Sequence, residues 1–346
     1  METDELTYIT DSVDTSAGEV PRVSASLDWQ DWAGTLKVRF SFGRMNYRVE
    51  PGLYAVGEPA ASSVVLVTAN YKLSFDSLRC RLNTIDAWIL VLDTKSVNVW
   101  CAAGKRTFGT DELVRRIEDT RLSEIVDHRS IIAPQLGATG VAAHEVKKRT
   151  GFSVVYGPVR AKDLPEFLVN DMSATPAMRR VTFTLPARLV LIPNEIVIGL
   201  KYLLPACIIL IPAAWFRTGG QSLETLAAVW ERYCLNLVAG YLGGIVLGPT
   251  LLPWLPGRSF SMKGVTAGTL AFLAVYFSGA AGETVPEIAA WYLLTVAAAS
   301  FLTMNFTGSS TYTSLSGVLK EMKIAVPLQI TGAVAGIILL LWSVFM

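Results

Sequence analysis

The hydrophobic rhythm of the chain changes near residue 190. Before that point apolar residues come in short runs between charged stretches. Beyond it they fill long blocks with few charges. In the first part "VVLVT" (64–68), "AWILVLD" (87–93), "RSIIAP" (129–134) and "FSVVYG" (152–157) are short continuous apolar runs, the pattern of strands buried on both faces. Helical spacing lies between them, in "SFDSLRCRL" (74–82), in "TDELVRRIED" (110–119) and in "TGVAAHEVKKRTG" (139–151). Thr110 is the expected N-cap of the second, ahead of two acids, and the third closes on basic residues and a glycine. "LKVRFSF" (36–42) alternates as a strand does, "PGLYAVGEP" (51–59) is turn-rich, and "RRVTFTLP" (179–186) offers one more strand. Strands alternating with helices predict an α/β Rossmann-like domain with a mostly parallel sheet covered on both faces. Such sheets bind ligands at the carboxyl ends of their strands.

The second part predicts an all-α membrane domain of five transmembrane helices, at about 196–216, 233–252, 265–281, 288–306 and 324–345. Each approaches the roughly 20 residues that a bilayer core requires. Trp215, Trp230, Tyr233, Trp254 and Trp342 fall near the expected ends, where aromatic residues favour the interface. The expected division is therefore a flexible acidic segment at 1–34, an α/β domain at 35–187 and a membrane domain at 188–346. Basic residues set the orientation: Arg179, Arg180, Arg188, Arg258, Lys263, Lys320 and Lys323 flank one side. Arg217 and Arg232 flank the other, with Glu283 and Glu287. This predicts a multi-pass protein of the cytoplasmic (inner) membrane, with the α/β domain cytoplasmic and the C-terminus external. Gly240, Gly244 and Gly248, Gly264 with Gly268, and Gly332 with Gly336 recur at a spacing of four, which lets helices pack closely. Few charges enter the spans, against a pump or ion channel.

A formal net charge of +1 argues against a nucleic-acid partner and leaves membrane lipid as the expected surface contact. The start of the chain is acidic and Ser/Thr-rich, without the pattern of a signal peptide. The four cysteines are Cys80, Cys101, Cys207 and Cys234, none spaced as a CxxC pair, so no iron–sulfur cluster or cysteine zinc site is expected. Cys207 and Cys234 fall in apolar runs as buried thiols; Cys80 reads as a surface residue.

Cys101 stands apart, in "NVWCAAGK" (98–105) just after a strand. Three readings fit it. It could be a core thiol. It could be a nucleophile, with His128 or His144 as the base. It could also be one axial ligand to a metal that arrives with its own macrocycle. Ala102, Ala103 and Gly104 have little bulk to obstruct a flat ring, and Lys105 and Arg106 should favour the thiolate. "TANYKLS" (68–74) places Thr68 and Asn70 at a strand's carboxyl end, where they could line a site or cap a turn. "PQLGATG" (134–140) lacks the dinucleotide fingerprint but could still offer backbone N–H groups. Neither "DHRSII" nor "AAHEVK" fits the D-x-H-x-x-G pattern of many corrinoid carriers, which makes both histidines structural.

"PGLYAVGEP", "VVLVTANYKLS", "DAWILVLDTKSVNVWCAAGKRTFGTDELV" and "IIAPQLGATGVAAHEVKKRTGF" together resemble the corrinoid-binding domain of the corrinoid iron–sulfur protein large subunit. With five membrane helices behind them they look most like its membrane-bound, mercury-methylating relatives, the HgcA family. The resemblance covers about residues 35–185. It implies a cobalamin or related corrinoid, bound base-off, with Cys101 as the lower axial ligand of cobalt. Asn98, Trp100, Ala102, Ala103, Gly104 and Lys105 would shape that face. Thr68, Asn70, Gln135, Gly137 and Gly140 would lie near the corrin or its tail. The implied activity is a corrinoid-dependent methyltransferase moving a methyl group from methyl-Co(III) corrinoid to Hg(II). The implied partners are a small ferredoxin (HgcB) as reductant and mercury donor, and a methyl-tetrahydrofolate-type donor. Two other readings stay open: a membrane-bound methyl carrier of one-carbon metabolism, and a non-enzymatic corrinoid sensor.

Overall fold

The computed structural model describes residues 7–309 and 315–345. The chain divides into two units, Met1–Val181 and Thr182–Met346. The first holds seven strands: β1 (Ile9–Thr15), β2 (Gly18–Val23), β3 (Gly52–Val56), β4 (Val64–Ala69), β5 (Ala87–Leu92), β6 (Ser130–Ala133) and β7 (Ser153–Tyr156). They form one sheet in the order β1-β2-β3-β5-β4-β6-β7. β5, β4, β6 and β7 run parallel, as the apolar runs predicted, while β3 pairs antiparallel to β5 and β1 antiparallel to β2. The helices are α1 (Trp29–Arg39), α2 (Lys72–Arg79), α3 (Val99–Gly104), α4 (Thr110–Asp119), α5 (Leu122–Ile125), α6 (Ala143–Thr150) and α7 (Leu164–Val169). One face of the sheet buries Leu113, Leu122 and Val146 of α4, α5 and α6. The other buries Phe75 and Leu78 of α2 with Leu164 and Phe167 of α7. After β4 the chain adds β5 on one side and β6 on the other. That reversal opens a crevice at the carboxyl ends of β4 and β6.

Several expectations are corrected. Of the 1–34 segment expected to be flexible, residues 1–6 lie outside the described residues and residues 9–23 form the β1–β2 hairpin, where Val20 and Val23 are buried, as is Tyr8 just before it. "LKVRFSF" is not a strand, because most of it belongs to α1. Asp28 and Asp31 close a capping box there, each carboxylate accepting the other's backbone N–H, and this outweighs a period-two pattern only seven residues long. "PGLYAVGEP" is the strand β3 bounded by its turn residues. "RRVTFTLP" joins no strand: it runs irregularly into α8 (Leu185–Leu189). Thr110 is the first residue of α4 rather than its cap. Gly109 is the N-cap, and the Thr110 hydroxyl accepts from Ala142 N at 2.9 Å.

The second unit continues with α9 (Ile192–Thr218), α10 (Leu223–Leu242), a π-helical turn at Gly243–Leu247, α11 (Gly248–Leu251), α12 (Phe260–Phe277), α13 (Val285–Asn305) and α14 (Leu315–Val344). Five helical segments are long and apolar enough to cross a membrane: Leu185–Thr218, Leu223–Leu251, Phe260–Phe277, Val285–Gly308 and Gly317–Val344. The third starts five residues before its expected position, because Ser259 caps it by accepting from Met262 N. The glycine repeats pack as read. A Cβ on Gly264 would meet Ser300 Cα at 2.6 Å, and one on Gly268 would meet Ala299 Cβ at 2.8 Å, so α12 lies backbone-close to α13. Arg232 reaches Glu283 at 2.7 Å and Glu287 at 3.2 Å, and Arg217 reaches Glu283 at 3.4 Å. All four cysteines are free and half-buried, so Cys207 and Cys234 are less enclosed than expected.

Candidate functional site

The residues around Cys101 are built from three strand ends. β4 leads into Thr68, Ala69 and Asn70, all buried, and Asn70 is only 1% exposed. The Asn70 carboxamide oxygen accepts from Thr94 N at 3.1 Å, Thr94 Oγ1 at 2.9 Å and Ser96 N at 3.2 Å. Its Nδ2 donates to Asp93 Oδ1 at 3.3 Å. One side chain thus folds the whole loop after β5. That loop carries Lys95 and Ser96 at φ 58° and 60°, a costly conformation for residues with a Cβ. Thr94 Oγ1 adds a bond to Val97 O at 2.7 Å. Asn70 is the anchor of the loop that presents α3.

α3 begins where Asn98, its N-cap, accepts from Cys101 N at 2.9 Å. Ala102 and Ala103 turn inward, essentially fully buried in the core with Phe108. Their small size therefore serves packing on the inner side of α3. The opposite side carries Asn98 and Cys101, half-buried, and the exposed Gly104 and Lys105; Trp100 is half-buried between the two sides. A Cβ on Gly104 would find nothing within 4 Å, so this end of the helix is open beside the thiol.

The loop after β6 supports α3 from beneath. A Cβ on Gly140 would stand 2.1 Å from Phe108 O and 3.0 Å from Ala103 Cα; on Gly137 it would stand 2.5 Å from the Phe108 ring. Both glycines are there to let this loop approach α3 closely. Gln135 accepts from Arg179 and is half-buried. Sequence reasoning missed Arg44, which lies far off in the chain yet acts on Cys101 electrostatically and packs 6.0 Å from the Tyr71 ring. Only the tertiary fold brings it there, and no local spacing signals it.

Burial pushes the Cys101 thiol above its ordinary value, against the opposing pull of the Asn98 hydrogen bond, Lys105 and Arg44. Lys105 does pull it toward the thiolate, as expected, but burial outweighs that pull. Arg106 takes no part; Arg44 does. No histidine is among the groups that shift the Cys101 thiol. His128 Nε2 meets Ser63 O at 2.9 Å and its Nδ1 accepts from Ser130 N at 3.3 Å, while His144 lies exposed on α6. The nucleophile–base reading has no geometric support. Among the described residues, no three His, Cys, Asp or Glu side chains converge to hold a metal ion. A metal at Cys101 must bring its other ligands with it. A half-buried soft donor beside an open helix face, with polar loops at three strand ends, fits that requirement.

Residues 36–168 match the family model described as "CO dehydrogenase/acetyl-CoA synthase delta subunit". The same region is similar to acetyl-CoA decarbonylase/synthase complex subunit gamma of three archaea. Identity is 35% over 125 residues for Methanopyrus kandleri, covering 36% of this chain and 27% of the relative. It is 33% over 127 residues for Methanocaldococcus jannaschii, covering 36% and 25%. It is 30% over 139 residues for Archaeoglobus fulgidus, covering 39% and 29%. The chain spans between a quarter and a third of the length of these relatives. The matched stretch runs from α1 to α7 and carries the large-subunit resemblance of the α/β unit. The five membrane segments lie outside it.

Proposed function

We propose that the chain is a membrane-bound corrinoid protein that carries a methyl group, as the similarity to acetyl-CoA decarbonylase/synthase subunits suggests. The observation that carries the reading is α3: a single half-buried thiol on the open side of a short helix, at the carboxyl edge of a doubly wound sheet. When bound, the corrinoid supplies the cobalt–carbon chemistry. The chain's own residues hold and tune it. Cys101 would offer one soft donor to a metal held there, and coordination would deprotonate it. Lys105 and Arg44 would then stabilise the negative sulfur. Asn98 fixes the start of the helix, Ala102 and Ala103 root it, and Asn70 holds the loop that aims it. No cluster of metal-holding side chains forms among the described residues, and the reading therefore assigns electron supply to a separate carrier of ferredoxin type, HgcB in the family that the sequence resembles.

The methyl acceptor divides the reading. One-carbon metabolism of the acetyl-CoA type follows from the matched relatives, with a methyl-tetrahydrofolate-type donor. Mercury methylation is the second reading, favoured by Cys101 together with the five membrane segments. Hg(II) would take a methyl group with its electron pair; the bound corrinoid would supply that chemistry, and Cys101 would supply the sulfur donor.

The test uses the full chain in detergent, loaded with methylcobalamin without oxygen. Methyl loss to thiol-bound Hg(II) and to tetrahydrofolate is followed beside free methylcobalamin and Cys101→Ala. The optical spectrum reports the axial ligand. Transfer above the free cofactor, with a spectrum that changes in Cys101→Ala, supports the carrier, and the acceptor consumed names the branch. No bound corrinoid, or a spectrum indifferent to the substitution, overturns the role of Cys101.

A further inference from the structure

α1 is amphipathic the wrong way round. Successive helical residues advance by about 100°. Trp29, Trp32, Leu36 and Phe40 therefore share one stripe roughly 100° wide, and all four are exposed, Trp29 by 74% and Trp32 by 63%. Phe42 and Met45 extend the patch past the helix end and are exposed as well. The inward face instead carries Asp31, 4% exposed, which receives Lys72 and, at 2.6 Å, Arg79. A helix that buries its only carboxylate and turns two tryptophans outward is oriented for something other than water.

The charges around the stripe select the occupant. Lys37 and Arg39 leave the helix on the two sides of the stripe, and Arg44 and Arg48 follow it. Between Trp29 and Val49 the one acid is the buried Asp31. An apolar stripe with tryptophans at one end and cations along its margins is the make-up of a helix lying in a membrane interface, rings among the headgroups and cations on lipid phosphates. The same chain carries five segments able to cross a membrane, so a lipid surface is always at hand. We propose that α1 is an in-plane membrane helix that rests its outward stripe on an anionic lipid surface.

The experiment keeps the whole chain, labelled with 5-fluorotryptophan and reconstituted in nanodiscs containing about a third anionic lipid. Trp29→Phe and Trp32→Phe assign the two ¹⁹F resonances, and Trp342, expected near a span end, serves as the lipid-level reference. Doxyl-labelled lipid should broaden the Trp29 and Trp32 signals as strongly as that of Trp342, while a soluble paramagnetic chelate leaves them sharp. Lys37→Glu with Arg39→Glu should weaken the lipid-induced broadening several-fold. Broadening by the chelate alone would show the stripe in water and overturn the proposal. Protection from both probes would show it covered by protein, whether this chain or a second copy, and overturn it equally. An unchanged response in the charge-reversed variant would remove the anionic component.

Discussion

Cys101 can be tested against its neighbours because they do different work. Asn70 satisfies three donors of the 93–98 loop, two of them backbone N–H groups that nothing else could reach once it is gone. Asn70→Ala should cost roughly 1–3 kcal/mol for each buried donor left unpaired, read by denaturant unfolding, and should disorder the entry to α3. Gly140→Ala should destabilise as well, since its new Cβ would sit on Phe108 O. Gly104→Ala separates packing from ligand binding. With nothing within 4 Å, it should leave the melting temperature unchanged, whereas corrinoid affinity should fall if a ring lies against that end of α3. Equal affinity for wild type and Gly104→Ala would sink the placement of the ring there. The sequence alone named Cys101 and the glycine loop, which the fold packs close to α3. It could not tell which small residues face outward, because Ala102, Ala103 and Gly104 are alike in bulk and only the burial of a six-residue helix sorts them. Nor could it show Arg44 beside the thiol.

Among the elements, α1 and α2 are held by a buried four-charge cluster. Asp76 receives Lys72 at 2.8 Å and Arg79 at 2.7 Å, and Asp31 receives the same two cations. Arg79, fully buried, also donates to Ser24 O at 2.6 Å and Ser26 O at 2.9 Å, which ties the N-terminal hairpin to α2. Burial alone would raise the Asp31 carboxyl, but its bonds to Lys72 and Arg79 hold it below its ordinary range. Lys72→Met leaves buried carboxylates underpaired and should cost about 3–5 kcal/mol in denaturant unfolding. Tyr8 packs over this cluster, 5.7 Å from the Phe75 ring, and burial pushes its phenol up to about 12. Because that value lies above the unfolded one near 10, its contribution to stability is complete below pH 10 and lost as pH rises toward 12. Tyr8→Phe should flatten alkaline unfolding in that window; an identical pH profile would assign the loss to other groups. The central strands were legible because buried runs such as "AWILVL" permit little else. α1 was not, since Leu36 to Phe42 satisfies both periods and the deciding partners, Lys72 and Arg79, lie more than thirty residues away.

At the scale of the whole molecule, the membrane half was legible almost entirely from hydropathy and glycine spacing, because long apolar blocks have a single economical fold in lipid. Gly268→Leu would drive its side chain into Ala299 and Val296 and should prevent extraction of a monodisperse protein. Orientation remains an expectation with a direct check. Arg217 and Arg232 are paired with Glu283 and Glu287, which leaves that side nearly neutral and the opposite side basic. A reporter fused after the final residue should be active outside the cytoplasm and silent inside it. The α/β unit is contiguous: among the described residues every strand of its sheet lies between Ile9 and Tyr156. Every residue of that sheet, and of the Asn70 knot with it, is therefore synthesised before the first long apolar helix. Folding of the α/β unit and entry into the bilayer draw on separate stretches of chain, so the one does not have to wait for the other.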